Sequence, residues 1–212
     1  MAPGQNQALL YLGWKGPPEF NMAATPAPSR VAESKIIAPF ADMSIDEYLA
    51  LVERNPDSHF EFNAAGDVVT MTPMPEHGNS QILTGTHLTL WLWTRALPGY
   101  HAGSEITFDL GDWRCQPDVC VHRARGKSIP TEAPLLAVEI RSDSNTWREL
   151  RAKAARYLEH GTQMVWLIDT DERRLELHRA AEPVLTLGGD DVIEGGATLP
   201  GFTLRVQDLF AA

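Results

Sequence analysis

The stretch LLAVEIRSDSNTWRELRAKAARYLEHGTQMVWLID, residues 135–169, decides the fold. Its opening, LLAVEIRS, reads as a buried strand that Glu139 and Arg141 interrupt. TWRELRAKAARYLEHG reads as a helix. Thr146 and Glu149 stand at capping-box spacing, Gly161 stops it, and Trp147, Leu150, Ala154, Tyr157 and Leu158 form one apolar stripe. MVWLID is then a second strand, followed across the turn TDER by a third, RLELHR. A strand–helix–strand unit beside further strands implies an α/β or α+β domain on a mixed sheet.

Upstream of this unit, GSEITFDL and WRCQPDVCVH read as strands joined by a GD turn, and HRARGKSIPTEAP as the loop leading into LLAVEIRS. A helix from about Asn79 to Leu97 is dense in Ile82, Leu83, Leu88, Leu90, Trp91, Leu92 and Trp93, so it should be mostly buried, in the core or at a dimer contact. HFEFN and DVVTMTP form a hairpin across AAG. SIDEYLALVERNP forms a helix with Ser44 and Glu47 as capping box, Ile45, Tyr48, Leu49 and Val52 as its stripe, and Pro56 ending it. Residues 1–41 hold six of the 15 prolines and no periodicity, which predicts a flexible leader ahead of a domain over residues 42–212. Met22, opening MAATPAPSR, is a candidate start. LPGFTLRVQDLF should close the chain as a short strand and a turn.

A chain of 212 residues, 43% hydrophobic and 22% charged, can bury a core without disulfide or structural metal. No apolar run is long enough to cross a bilayer. The two cysteines, Cys115 and Cys120, would fall on opposite faces of one strand and cannot bridge within it, so a reduced, cytoplasmic protein is expected. A net charge of -10 argues against a protein held to nucleic acid by its overall charge. Residues 111–160 depart from that balance, with nine basic residues against seven acidic.

Strand alternation sets Asp118 on the face of Gln116 and Cys120, and sets Glu139 with Arg141 against Val138 and Ile140. An unpaired buried carboxylate costs on the order of several kcal/mol, so both acids must be paired, solvated in a cleft or bound to a cation. One reading is a buried ion pair of Glu139 or Asp118 with Arg141. The other is a hard-oxygen site, the two carboxylates with the carbonyl of Ile140, suited to Mg²⁺ or Mn²⁺ and to phosphodiester hydrolysis. Arg141 could grip phosphate but not act as a base. Lys153, at the border of the helical stripe, could reach the cleft and do either, or snorkel at the surface.

PDVCV followed by VEIRSDSNTWRELRAKAARYLEHGTQMVWLID closely resembles the Uma-two family of restriction-endonuclease-like proteins, within the PD-(D/E)XK nuclease superfamily. HFEFNAAGDVV, MTPMPEHGNSQI, LPGF and the DLF ending extend the resemblance over residues 42–211. It implies a central mixed β-sheet flanked by helices. Asp118 would be the motif aspartate, Glu139 the acid of the (D/E)XK element, Lys153 the lysine kept on the following helix, and Glu61 an additional acid near the metal. His77 has a counterpart too, although a helix-start or core histidine is the simpler reading. Arg141 stands where the superfamily has lysine, and Ser142, Asp143 and Ser144 where many members have Ser-Pro-Ser.

The resulting expectation is a Mg²⁺- or Mn²⁺-dependent DNA endonuclease. Asp118 and Glu139 would hold the metal, Lys153 would activate water or offset phosphorane charge, Arg141 would grip phosphate, and Glu61 would stand by. DNA is the expected partner, with no membrane, and a homodimer would suit symmetric cutting. The alternative is a nucleic-acid-binding or regulatory module on an inactive nuclease scaffold. A weaker one is an oligomeric scaffold built on the Trp-rich helix.

Overall fold

The computed structural model describes residues 36–210 apart from 72, 73, 96, 124, 125, 127, 143 and 144. The expected leader lies outside the described residues as far as residue 35, as does Met22. Ile36–Ala38, within the segment read as leader, form a strand, β1.

The helix α1 (Ile45–Arg54) has both capping-box hydrogen bonds between Ser44 and Glu47, a device that stabilises a helix start by about 1 kcal/mol. Its packed residues are Ile45, Tyr48 and Leu51, whereas Leu49 and Val52, read into the stripe from sequence, are exposed. The expected hairpin is present as β2 (His59–Phe62) and β3 (Val68–Met71), and β1 adds to β3 to make a small antiparallel sheet. Tyr48, Phe62 and Val68 form its core.

The long helix α2 (Pro75–Arg95) starts four residues before the expected Asn79. Proline suits a first helical position, where its missing N–H costs no hydrogen bond. The helix is not buried all round. His77, Ser80, Thr84, Leu88 and Trp91 face inward at spacings of three and four, while Ile82, Leu90 and Trp93 are 70%, 50% and 78% exposed.

The two strands expected over residues 103–122 are broken into four: β4 (His101–Ser104), β5 (Phe108–Asp109), β6 (Arg114–Cys115) and β7 (Val119–His122). Glu105, at φ 53°, ends β4, and Pro117, with no N–H to give a ladder, separates β6 from β7. This break resets the alternation, so Cys115 and Cys120, both free, enter one cluster instead of opposite faces.

Next come β8 (Leu136–Ile140), α3 (Trp147–Glu159), β9 (Met164–Asp169), β10 (Arg174–Arg179), β11 (Leu185–Gly188), β12 (Val192–Glu194) and β13 (Thr203–Arg205), then a 3-10 turn, Val206–Leu209. The central sheet has the order β11-β10-β9-β8-β7-β4. It is mixed: β8 and β9, joined through α3, run parallel, and the other neighbours are antiparallel. The architecture is therefore α+β, with helices on a central mixed sheet, as the sequence implied.

Strand alternation sorts the two faces. Val119, Val121, Val138, Ile140, Trp166 and Ile168 pack with Leu88 and Trp91 of α2 and with Phe202 and Leu209 near the C-terminus. Cys120, Ala137, Val165 and Leu167 pack with Leu150, Ala154 and Tyr157 of α3. Among the described residues no helix is long and apolar enough to cross a membrane.

Candidate active site

Glu139 points to the α3 face of the sheet, among Ala137, Val165 and Leu167. Its position there is made tenable by two residues four apart on α3, which therefore share a face. Lys153 Nζ donates to Glu139 Oε2 at 2.7 Å, and the Tyr157 hydroxyl donates to Oε1 at 2.7 Å. All three are buried. Burial pushes the Glu139 carboxyl up to about 7 against the pull of Lys153. Burial works against the Lys153 ammonium, but the Glu139 and Glu61 carboxylates outweigh it and raise its pKa above the usual lysine range. Burial, then Glu139, holds the Tyr157 phenol well above its ordinary value, so it stays a donor.

Asp118 immediately precedes β7. The register Val119↔Val138, extended by one residue, sets it opposite Glu139, and extended by two sets Pro117 opposite Ile140. Asp118 Oδ2 accepts the Ile140 N–H at 2.5 Å, replacing a strand partner at the point where the ladder gives out. Its Oδ1 lies 3.2 Å from Nε2 of His77, the third residue of α2. Burial disfavours the imidazolium, but the hydrogen bond and charge of Asp118 outweigh that and raise the His77 pKa. Gln81, one turn on, donates from Nε2 to the Asp118 carbonyl at 3.1 Å.

Glu61 comes from β2 of the small sheet and lines two cavities. One, of about 370 Å³, it shares with Asn145 and Lys153; the other is a narrow cleft shared with His77 and Asp118. Burial, then the Asp118 charge, pushes its carboxyl up to about 8. Asp118, Glu139, Lys153 and Glu61 are thus brought into one electrostatic group.

Arg141 is not part of that group. β8 ends at Ile140, and the guanidinium pairs with Asp169 at 3.1 Å and Asp171 at 3.8 Å beside β9. The ion pair weighed from sequence for Glu139 exists, but its cation is Lys153. The loop after His122 leaves β7 at the end remote from Asp118, roughly 13 Å away by strand rise. Within it, Arg125 and Lys127 lie outside the described residues, and Arg123 stacks on Tyr100 at 4.5 Å.

Among the described residues no three His, Cys, Asp or Glu side chains form a ready-made metal cluster. The donor chemistry nonetheless fits a hard divalent cation. Three carboxylates stand with one lysine and one histidine, and burial, which raises the Glu61 and Glu139 carboxyls, disfavours negative charge that such a cation would offset.

Residues 45–207 match the family Uma2, described as "Putative restriction endonuclease". The chain belongs to the Uma2 family. A crystal structure described as a "putative nuclease belonging to DUF820", from Anabaena variabilis, superposes with a TM-score of 0.65 at 24% identity, covering 79% of this chain and 97% of that one. At that identity the likeness speaks for the fold alone. No curated protein matches. Of the site residues that the resemblance implies for this Uma2 chain, the fold brings together Asp118, Glu139, Lys153 and Glu61 and leaves Arg141 outside.

Two members of the group escaped the sequence reading. Tyr157 reads from sequence only as stripe, although its four-residue spacing from Lys153 signals that both meet one partner. His77 reads as a helix-start or core residue; it is both, and its contact with Asp118 depends on how α2 crosses the sheet.

Proposed function

We propose that this protein is a metal-dependent DNA endonuclease that hydrolyses phosphodiester bonds. The observation that carries the reading is the Asp118–Glu139–Lys153 constellation at the junction of β7, β8 and α3, in a chain of a restriction-endonuclease family. Asp118 and Glu139 would hold Mg²⁺ or Mn²⁺, with Glu61 as a third carboxylate. When bound, the cation would acidify a water and offset charge on the phosphorus.

Lys153 stays an ammonium, so its part is electrostatic: it holds Glu139 in place and offsets charge on the phosphate, and it is not the proton acceptor. Tyr157 fixes the second Glu139 oxygen. His77 and the Ile140 amide orient Asp118 from its two oxygens. Arg141, tied to Asp169 and Asp171, meets a phosphate only by leaving those partners.

The test is nicking of supercoiled plasmid with Mg²⁺ or Mn²⁺ by the wild type, Asp118→Asn and Glu139→Gln, paired with calorimetric titration of Mn²⁺. Nicking by the wild type alone, with Mn²⁺ binding lost in Asp118→Asn, is the expected result. Equal nicking by all three proteins would mark a contaminant and defeat the enzyme reading. Mn²⁺ binding without cleavage would leave a nuclease scaffold used for binding.

A further inference from the structure

One face of α2 has no partner among the described residues. Ile82, Leu90 and Trp93 stand out of it, and beside them a groove of about 610 Å³ runs between α2 and β4, with Gly85 and Gly103 in its walls. Among the described residues β4 is an edge strand, paired only with β7. Scattered exposed apolar residues need no explanation, but a tryptophan 78% exposed, aligned with isoleucine and leucine along a groove, marks a contact surface.

The chemistry of the lining selects the occupant. None of the described residues lining the groove is charged, in a chain of net charge -10. Nucleic acid and anionic lipid both require basic groups, which are absent from this lining. A second copy of this chain, which carries the same net charge of -10, by contrast meets little repulsion at an uncharged face.

The shape is also self-complementary. Trp93 is the ridge and Gly85 lies in the groove, eight residues or about 12 Å apart along one helix. A two-fold axis near Thr86 and Thr89 would seat each Trp93 beside the other copy's Gly85, so the same contact is made twice. The size is adequate: α2 spans about 31 Å, and with the adjoining edge strand offers roughly 600 Å² in plan, the order of the ~800 Å² per partner of a stable interface.

We propose that a second copy of this chain docks on this face, α2 against α2, making a two-fold dimer through Ile82, Leu90 and Trp93. The interface would adjoin the candidate active site without containing it. Gln81 lines the groove and holds the Asp118 carbonyl, and Ser104, also in the lining, pairs with Val119. The proposal is independent of whether that site cleaves DNA.

Sedimentation or light scattering of the full chain, from high nanomolar to high micromolar concentration, tests it. The wild type should reach twice its 23.4 kDa mass. Ile82→Glu combined with Trp93→Glu sets like charges against each other across the axis and should weaken association by roughly 100-fold or more. Both side chains are solvent-exposed in the single chain, so the circular dichroism spectrum should hold, and the melting temperature should match that of the wild type diluted to monomer. Leu185→Glu, an exposed apolar position on the opposite edge strand, should leave the dimer intact. A wild type that stays monomeric, whatever else covers the groove, overturns the proposal. So does a double variant that still dimerises, or a Leu185→Glu variant that falls apart.

Discussion

Replacing Lys153 by methionine keeps most of the side-chain volume and removes the ammonium. Lys153 Nζ stands 2.7 Å from Glu139 Oε2, with the two side chains 7% and 5% exposed, so water cannot take its place. Removing one partner of a buried pair costs about 3–5 kcal/mol, because the other charge is stranded. In a domain of this size each kcal/mol moves the melting temperature by about 2–4 °C, so Lys153→Met should melt roughly 6–20 °C lower near pH 8. The cost is that of a stranded carboxylate, and it must shrink when the carboxylate is protonated. Glu139 already sits at about 7 with Lys153 opposing its burial, and without the ammonium it titrates higher still. Near pH 6 the variant's Glu139 is neutral, and because the wild-type carboxyl titrates at about 7, the deficit should shrink by up to about 1.4 kcal/mol between pH 8 and pH 6. Glu139→Gln in the same background discards the charge for good and should recover most of the deficit even near pH 8. Thermal unfolding of the wild type, both single variants and the double variant at the two pH values provides the measurement. A deficit under about 1 kcal/mol near pH 8, or one that does not change with pH, refutes the reasoning.

Three further outcomes follow from the same geometry. Tyr157→Phe removes a buried donor at 2.7 Å from a carboxylate and should cost about 1.5–3 kcal/mol in urea unfolding while moving the Glu139 titration upward; an unchanged midpoint would show that the hydroxyl is dispensable. Glu61 and Glu139, at about 8 and about 7, bind protons more tightly folded than unfolded. The stability they lend is therefore complete below their unfolded pKa of about 4.3 and is lost as pH rises through 7 to 8. In a chelator, unfolding near pH 8.5 should need less urea than near pH 6, with Mn²⁺ restoring more at the higher pH; the opposite slope would contradict the raised values. At Gly195 an added Cβ would lie 2.2 Å from the Leu199 carbonyl oxygen, whereas at Gly103 it meets the movable end of Ile106 at 2.4 Å. Gly195→Ala should therefore lower the melting temperature more than Gly103→Ala.

What was legible in the sequence was local or periodic. Ser44 with Glu47 and Thr146 with Glu149 announce two helix starts, and both capping boxes form. The alternation around Glu139 and Asp118 placed both acids sideways from their strands, and the fold sets them opposite each other. Where elements change direction the same logic failed. Parity placed Arg141 beside Glu139, but β8 stops at Ile140 and the long guanidinium finds Asp169. Apolar density foretold a buried α2, yet Ser80 and Thr84 lie inside while Ile82 and Trp93 lie outside, because the angle around the helix and not the composition decides. His77 and Glu61 gain their meaning from elements that meet Asp118 only in three dimensions.

The strand–helix–strand unit also ranks the contacts of the site by the chain entropy that each costs. Glu139 and Lys153 are separated by 14 residues, and Asp118 and Ile140 by 22, whereas His77 stands 41 residues from Asp118. Each doubling of a closed loop adds about 0.6 kcal/mol of lost chain entropy, so the acid–cation pair is the least costly of these contacts to form and the α2 contact the most. Chain entropy alone therefore favours the lysine meeting Glu139 over the more distant contact of His77 with Asp118.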